Sequence, residues 1–306
     1  LSASKRFGRY KDEKEKAVRK ASAQESEALA GMRKAFGAVS RPPLFEDTSA
    51  SYHTALKAVA AMEADYSAED VERFSLMLGE FQDEENFMER AGLLLSALMN
   101  NGKDGNYTIH TQHLEGINFL GYRNTKRVVV EGDVGNDAGT RMKEGELIIR
   151  GDGGLGVGFQ MHGGSILVEG DADENLGMEM TEGEINVKGT AGDGAGYNMK
   201  GGLITIWKDA GELAGNLMEG GKILIHGNAR KGAGTELKGG VIVVKKNAHA
   251  LLGNTMYGGT IVVEGNASTK VGKYMRGGEI HIEGRCKSVS SKRYGGDVYV
   301  QGRIVP

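Results

Sequence analysis

The sequence predicts a mainly β fold: a right-handed parallel β-helix with 19 residues per turn and about 10–11 turns, behind an α-helical N-terminal extension. Three observations predict it. Of the 49 glycines, only 5 fall in residues 1–100 and 44 fall in residues 101–306, so the chain divides into a part spanning 1–102 and a part spanning 103–306. The second part repeats every 19 residues, with glycines at 145, 164, 183, 202, 221, 240, 259 and 278 and one 18-residue step to Gly296. Each repeat holds one short alternating run of β-branched residues and no segment of helical period.

The N-terminal part comes first. Residues 5–36 are charged and Ala-rich, and Lys5 to Lys20 carries eight basic residues against three acidic ones. Helix is expected there, ending in a solvated arm or a contact with an acidic partner. Pro42 and Pro43, with Ser40 and Asp47, mark a break. Helix is expected again over 50–65. Ser67 with Asp70 then reads as a helix-start box, followed by Val71, Phe74, Met77 and Leu78 at helical spacing. A further helix is expected from about Asp83 to Met99, stopped by Asn101-Gly102. These helices are expected to cap or flank the column, because a β-helix end exposes unpaired strand edge.

In the repeats, the first inward position runs Val128, Leu147, Ile166, Ile185, Ile204, Ile223, Ile242, Ile261, Ile280, Val298, and the second inward position lies two residues on. Ile109 fits one repeat earlier. One strand per 19 residues forbids hairpins of this register and leaves no room for a crossover helix. The chain must coil so that each strand returns beside its predecessor, at about 4.8 Å per turn. Glycines at 139, 158 and onward mark corners that need positive φ or close approach. Seven of the 13 methionines share one phase (Met142, Met161, Met180, Met199, Met218, Met256, Met275), which reads as a stack inside a narrow core rather than a copper box. Asp152, Asp171, Thr190, Asp209, Asn228, Asn247 and Asn266 form a turn ladder, its Asp and Asn members able to bond neighbouring backbone. The single Cys, Cys286, occupies a slot otherwise held by Ala, as a small buried filler.

Composition excludes several functions. A net charge of −3 argues against a globally basic nucleic-acid binder. One Cys rules out an internal disulfide framework and a multi-Cys metal site. The longest apolar run, Ala91 to Met99, is too short to span a bilayer, and the first sixteen residues hold no apolar signal core. A cytoplasmic protein without nucleic-acid or membrane partners is expected.

Catalytic signatures are sparse. Gly154-Leu155-Gly156-Val157-Gly158 imitates a nucleotide loop, but no helix pattern follows it. Ser165 stands at a strand start, outside any nucleophile elbow. His110 and His113 lack companion ligands, and the carboxylates from Asp171 to Glu184 show no fixed ligand spacing. No catalytic, cofactor-binding or metal-binding residues are assigned. The strand's middle, outward position is informative instead. It has apolar patches at Val129 to Leu167 and at Leu224, Val243 and Val262, and contiguous apolar surface is usually covered, here by the N-terminal helices or by another subunit. Beside the second patch an outward row of mixed charge is interrupted by Trp207 and His226. Lys245 follows in the same row, and Lys208 and Lys246 replace a glycine two coils apart. Trp207, Lys208, His226, Leu224, Val243, Lys245, Lys246 and Val262 form the candidate partner interface.

The units GYNMKGGLITIWKDA and GNLMEGGKILIHGNA resemble the GXGXG repeat domain over roughly residues 105–303. That domain forms the C-terminal β-helix of the glutamate synthase large subunit, and it makes up the β-helical subunit of formylmethanofuran dehydrogenase. The regular Met and Gly-Gly spacing looks nearer to the dehydrogenase version. The resemblance implies a scaffold without catalytic residues or cofactors of its own. Partner subunits of an oxidoreductase or one-carbon complex would carry molybdenum- or tungsten-pterin, iron–sulfur or flavin groups. A glutamate synthase-like role is one alternative. A free-standing hydrolase, or a binding module with a groove site, is another. A homo-oligomer fits the apolar patches as well as a hetero-complex does.

Overall fold

The computed structural model describes residues 26–39 and 48–306. The basic stretch from Lys5 to Lys20 and the Pro42–Pro43 break lie outside the described residues. Helix α1 spans Glu27–Ala38, α2 Thr48–Ala60, α3 Ala68–Met77 and α4 Phe87–Asn101. Ser26 caps α1 by accepting the Leu29 amide at 3.2 Å. The box at α3 forms as expected: Ser67 Oγ accepts the Asp70 amide at 3.3 Å and Asp70 Oδ2 accepts the Ser67 amide at 3.0 Å. Helix α4 starts four residues later than Asp83. A 3₁₀ turn at Leu78–Phe81 and Asn86 at φ 56° come before it. Its whole stretch Ala91–Met99 is buried, so it is apolar all round rather than on one stripe.

The strands are β1 (Asn106–His110), β2 (Arg127–Glu131), β3 (Glu146–Ile149), β4 (His162–Val168), β5 (Glu182–Val187) and β6 (Leu203–Ile206). They continue as β7 (Lys222–Ile225), β8 (Val241–Val244), β9 (Thr260–Val263), β10 (Glu279–Ile282), β11 (Asp297–Val300) and β12 (Arg303–Ile304). These twelve lie in one sheet in chain order. The first eleven pair in parallel, and equivalent residues stand opposite: Ile204 pairs with Ile223, and Ile223 with Ile242. A parallel β-solenoid of 19-residue coils is therefore the fold. The first coil is longer, since Tyr107 pairs with Val128. The last pair departs from the expected absence of hairpins. β12 folds back antiparallel on β11 through Gln301 at φ 51° and Gly302 at φ 74°, a turn with two left-handed residues.

The inward rows close the core. Ile204, Ile206, Met199 and Met218 are fully buried, as are their equivalents in neighbouring coils. The methionine row is thus a core stack, with Leu237 filling the one non-Met step. A second parallel row of single bridges runs from Val134 through Ala172 and Ala210 to Cys286. Glycine is needed here for two separate reasons. At Gly196 (φ 70°) an added Cβ would point into the Ile223 side chain of β7. At Gly221 (φ 85°) it would sit 2.7 Å from the previous coil's Gly202 carbonyl oxygen. The Asp/Asn ladder bonds as expected: Asp152 Oδ1 accepts the Asp171 amide and Asn247 Oδ1 the Asn266 amide, each one coil on.

The helices seat on the first coil. Ser96 Oγ accepts the amides of Gly121 (2.9 Å) and Tyr122 (3.1 Å). In the next coil the equivalent amide, Gly139, instead donates to Leu120 of the coil before. Helix α4 therefore stands where a preceding coil would be. Helix α3 packs against β1, and the His110 amide donates to Ser75 Oγ at 3.0 Å. No helix among the described residues is long and apolar enough to cross a membrane.

Candidate functional site

Side chains of a parallel solenoid repeat at every coil, so outward positions form straight rows one coil apart. Three such rows flank the sheet: a leading row that includes Glu184 and Leu203, a middle row that includes Asn186 and Thr205, and a trailing row that includes Lys188 and Trp207. The trailing row holds the charges as ladders. Arg150 donates to Glu169 at 2.7 Å and Lys188 to the same carboxylate at 3.1 Å. These neighbours hold the Glu169 carboxyl below its ordinary range, Lys188 most of all. Further along, Lys245 pairs with Glu264.

Between the charged stretches, Trp207 and His226 stack with ring centroids 4.4 Å apart and planes 2° apart. The strands' one-coil spacing sets that separation. Trp207 Nε1 donates to Asn186 Oδ1 at 2.8 Å, which fixes the indole against the sheet. Even so, Trp207 remains 51% exposed. A large ring held rigid and still open to solvent is what a docking anchor requires. Leu224, Val243 and Val262 lie beside it in the middle row, half-buried, and Lys208, Lys245 and Lys246 are exposed at its edge. The structure thus brings all eight sequence-selected residues onto or beside one face of β6–β9. The earlier apolar patch is less open than its composition implies. Ile148 is buried at 6% exposure, because β-branched and leucine neighbours in adjacent coils cover it.

The weaker candidates fall into structural roles. His110 Nε2 meets Glu72 Oε1 at 2.9 Å, between β1 and α3. Among the described residues no group of three or more His, Cys, Asp or Glu could hold a metal ion. Gly156 and Gly158 (φ 69° and 73°) are solenoid corners either side of the buried Val157. Cys286 is half-buried, and burial pushes its thiol up, away from the reactive thiolate.

Two features were not singled out from sequence. At the far end Arg276 lies over the rings of Tyr257 (5.7 Å) and Tyr294 (5.9 Å), and Tyr294 stacks on Tyr274. The aromatic residues at 257 and 294 share one coil phase with Arg276, and that was the available signal. Near α2, a small cleft of about 130 Å³ is lined by Phe119, Tyr122, Asp137, Thr140, Arg141 and Phe159. Burial pushes the Asp137 carboxyl up to about 6. Neither a protein-family model nor a curated protein matches the chain.

Proposed function

We propose that this chain is a non-catalytic scaffold subunit that holds protein partners in register along a rigid column. One observation carries the reading: the outward face of β6–β9 combines the half-buried Leu224, Val243 and Val262 with a fixed yet exposed Trp207–His226 stack. A solvated sheet face is mostly polar, and an apolar one with an aromatic anchor fits a protein partner. The rigid coil-to-coil bonding suits a spacer whose docking points must not move relative to one another.

The resemblance of the repeat unit to the GXGXG domain supports the finer version. In it the chain is a cytoplasmic component of an oxidoreductase or one-carbon complex, in the place that the β-helical subunit holds in formylmethanofuran dehydrogenase. The pterin, iron–sulfur or flavin groups then belong to its partners.

The test is the native mass of the protein purified gently from its own cells, with molybdenum, tungsten, iron and flavin determined on the same sample. A large hetero-complex carrying such a group is expected. A cofactor-free species containing only this chain would sink the enzyme-complex version. The scaffold reading fails if Val243→Arg leaves the mass of the native complex unchanged.

A further inference from the structure

We propose that the small cleft beside α2 binds an ammonium group, carried by a free alkylamine or by the lysine side chain of a partner. The cleft lies on the corners of the first three coils, among residues that the β6–β9 face does not use, so it stands independently of the scaffold reading. Its two rows follow from the coil repeat. Phe119, Asp137 and Gly156 hold one place in successive coils, at left-handed φ of 60°, 60° and 69°. Tyr122, Thr140 and Phe159 hold another: the Arg123 amide donates to the Thr140 carbonyl as the Arg141 amide does to the Phe159 carbonyl. Neighbours along each row stand about 4.8 Å apart. Asp137 and Thr140 are thus the polar centre of an array whose corners are three aromatic rings and one glycine. That glycine gives the carboxylate its room, since a Cβ added at Gly156 would stand 2.6 Å from Asp137 Oδ1.

Both central groups lack partners. Thr140 is 3% exposed and lines the cleft, and its Oγ1 has no hydrogen-bond partner. Among the described residues no donor or cation meets the half-buried Asp137 carboxylate, whose pKa burial alone raises. A polar group turned away from water without a partner is costly, an ionised carboxylate most of all, and it calls for a ligand or a bridging water. The other charged group on the cleft is already engaged. Arg141 donates to Gln160 Oε1 at 2.8 Å, to Ser49 Oγ at 2.7 Å and to the Tyr122 hydroxyl at 3.3 Å. The demand left over is for a cationic donor rather than an anion.

A primary ammonium meets it. Its three N–H groups reach acceptors that Asp137 and Thr140 Oγ1 supply, and its alkyl chain lies against Phe119 and Phe159, whose ring faces favour a cation. The cleft of about 130 Å³ has room for about four waters at about 30 Å³ each, so the part of the ligand that enters has about four non-hydrogen atoms. Propylammonium, or the outer end of a lysine side chain, has that size.

Titration of the full chain at pH 8, followed by saturation-transfer NMR on the added compound, tests the assignment. Propylammonium is expected to bind with a Kd on the order of 1 mM, within the ceiling for four non-hydrogen atoms. Tetramethylammonium has the charge but no N–H, and should bind at least about tenfold more weakly. Propionate should not bind. Asp137→Asn tolerates the same left-handed backbone and should weaken propylammonium at least about tenfold, and Thr140→Val about threefold. Nα-acetyl-lysine amide separates the two sources: binding at least as tight as propylammonium assigns the site to a partner's lysine, and its exclusion while propylammonium binds assigns it to a free amine. Propionate binding in place of propylammonium would make Arg141 the recognising group and overturn the proposal. So would propylammonium binding that Asp137→Asn leaves unchanged. Absence of propylammonium and lysine-amide binding up to about 20 mM would leave the cleft to water and overturn it as well.

Discussion

The two ends of the column solve the same problem differently. Every interior coil has its backbone groups satisfied by the coils on either side. The first coil is finished by α4 and α3, through Ser96, Ser75 and a buried run of nine residues. Among the described residues the last coil is followed by β12 alone, two residues long, with Ile304 at 58% and Tyr294 at 71% exposure. In a quasi-one-dimensional fold, stability is a sum of neighbour interfaces, so an end is as stable as its one remaining neighbour. The helical cap makes the first coil an interior coil, whereas the hairpin leaves the last coil an end. Amide exchange should therefore be slow through residues 117–131 and fastest over 285–300. Hydrogen-exchange mass spectrometry reads that gradient directly.

The strongest way to break the asymmetry is to unseat α4. Gly92 lies against the Asn118 carbonyl, so closely that an added Cβ would overlap the oxygen. Backbone cannot yield as a flexible side chain does. Gly92→Val should cost on the order of 4 kcal/mol, seen in the denaturation midpoint, and make the first coil exchange like the last. Ser96→Ala is milder. It leaves the helix in place but removes the acceptor of the buried Gly121 amide and one of two acceptors of the Tyr122 amide, which keeps the Phe119 carbonyl at 3.1 Å. A loss of about 1 kcal/mol is expected, with fast exchange confined to the Gly121 amide.

The repeat was legible because the solenoid imposes the same environment every 19 residues. Gly at 139, 158 and 177 and Met at 142, 161 and 180 each face an identical neighbour, so one physical constraint writes itself many times. The cap is met once. Ser67 and Asp70 could be read because a capping box is local. The α4 start was misplaced because Asn86 takes a left-handed conformation that the sequence around Asp83 does not announce. Ser96 could not be read at all: its partners are 25 and 26 residues away and outside the period. The interface residues fall between these cases. Trp207 and His226 stood out as breaks in a row, but their stacking and the Asn186 bond follow only from the coil geometry.

Asp137 sharpens the contrast from the capped side. It sits in the first 19-residue coil, beside the cleft under α2, and burial raises its carboxyl pKa to about 6. A raised acid favours folding most when protonated. Its contribution is complete below the unfolded pKa near 4 and is lost as pH rises through 6. Asp137→Asn keeps a residue that tolerates φ 60° and removes the charge. It should stabilise by about 1 kcal/mol at pH 8, a figure reduced for the group's partial exposure, and by nothing at pH 4. A gain of equal size at both pH values would trace instead to the left-handed backbone preference of Asn.

The smallest effect is expected at the other end. Removing residues 303–306 deletes β12 and the Arg293 Nη2 bond to the Val305 carbonyl at 2.6 Å. Both lie at a largely exposed edge, where water replaces the lost partners. The denaturation midpoint should move by less than about 1 kcal/mol. The deletion also bares the edge of β11, which pairs with β12 through Tyr299 and Val300. Aggregation at high concentration, without loss of thermal stability, would show that β12 shields an edge and adds little to the folding energy. A large drop in stability would instead make β12 a true cap, and the two ends would then be alike.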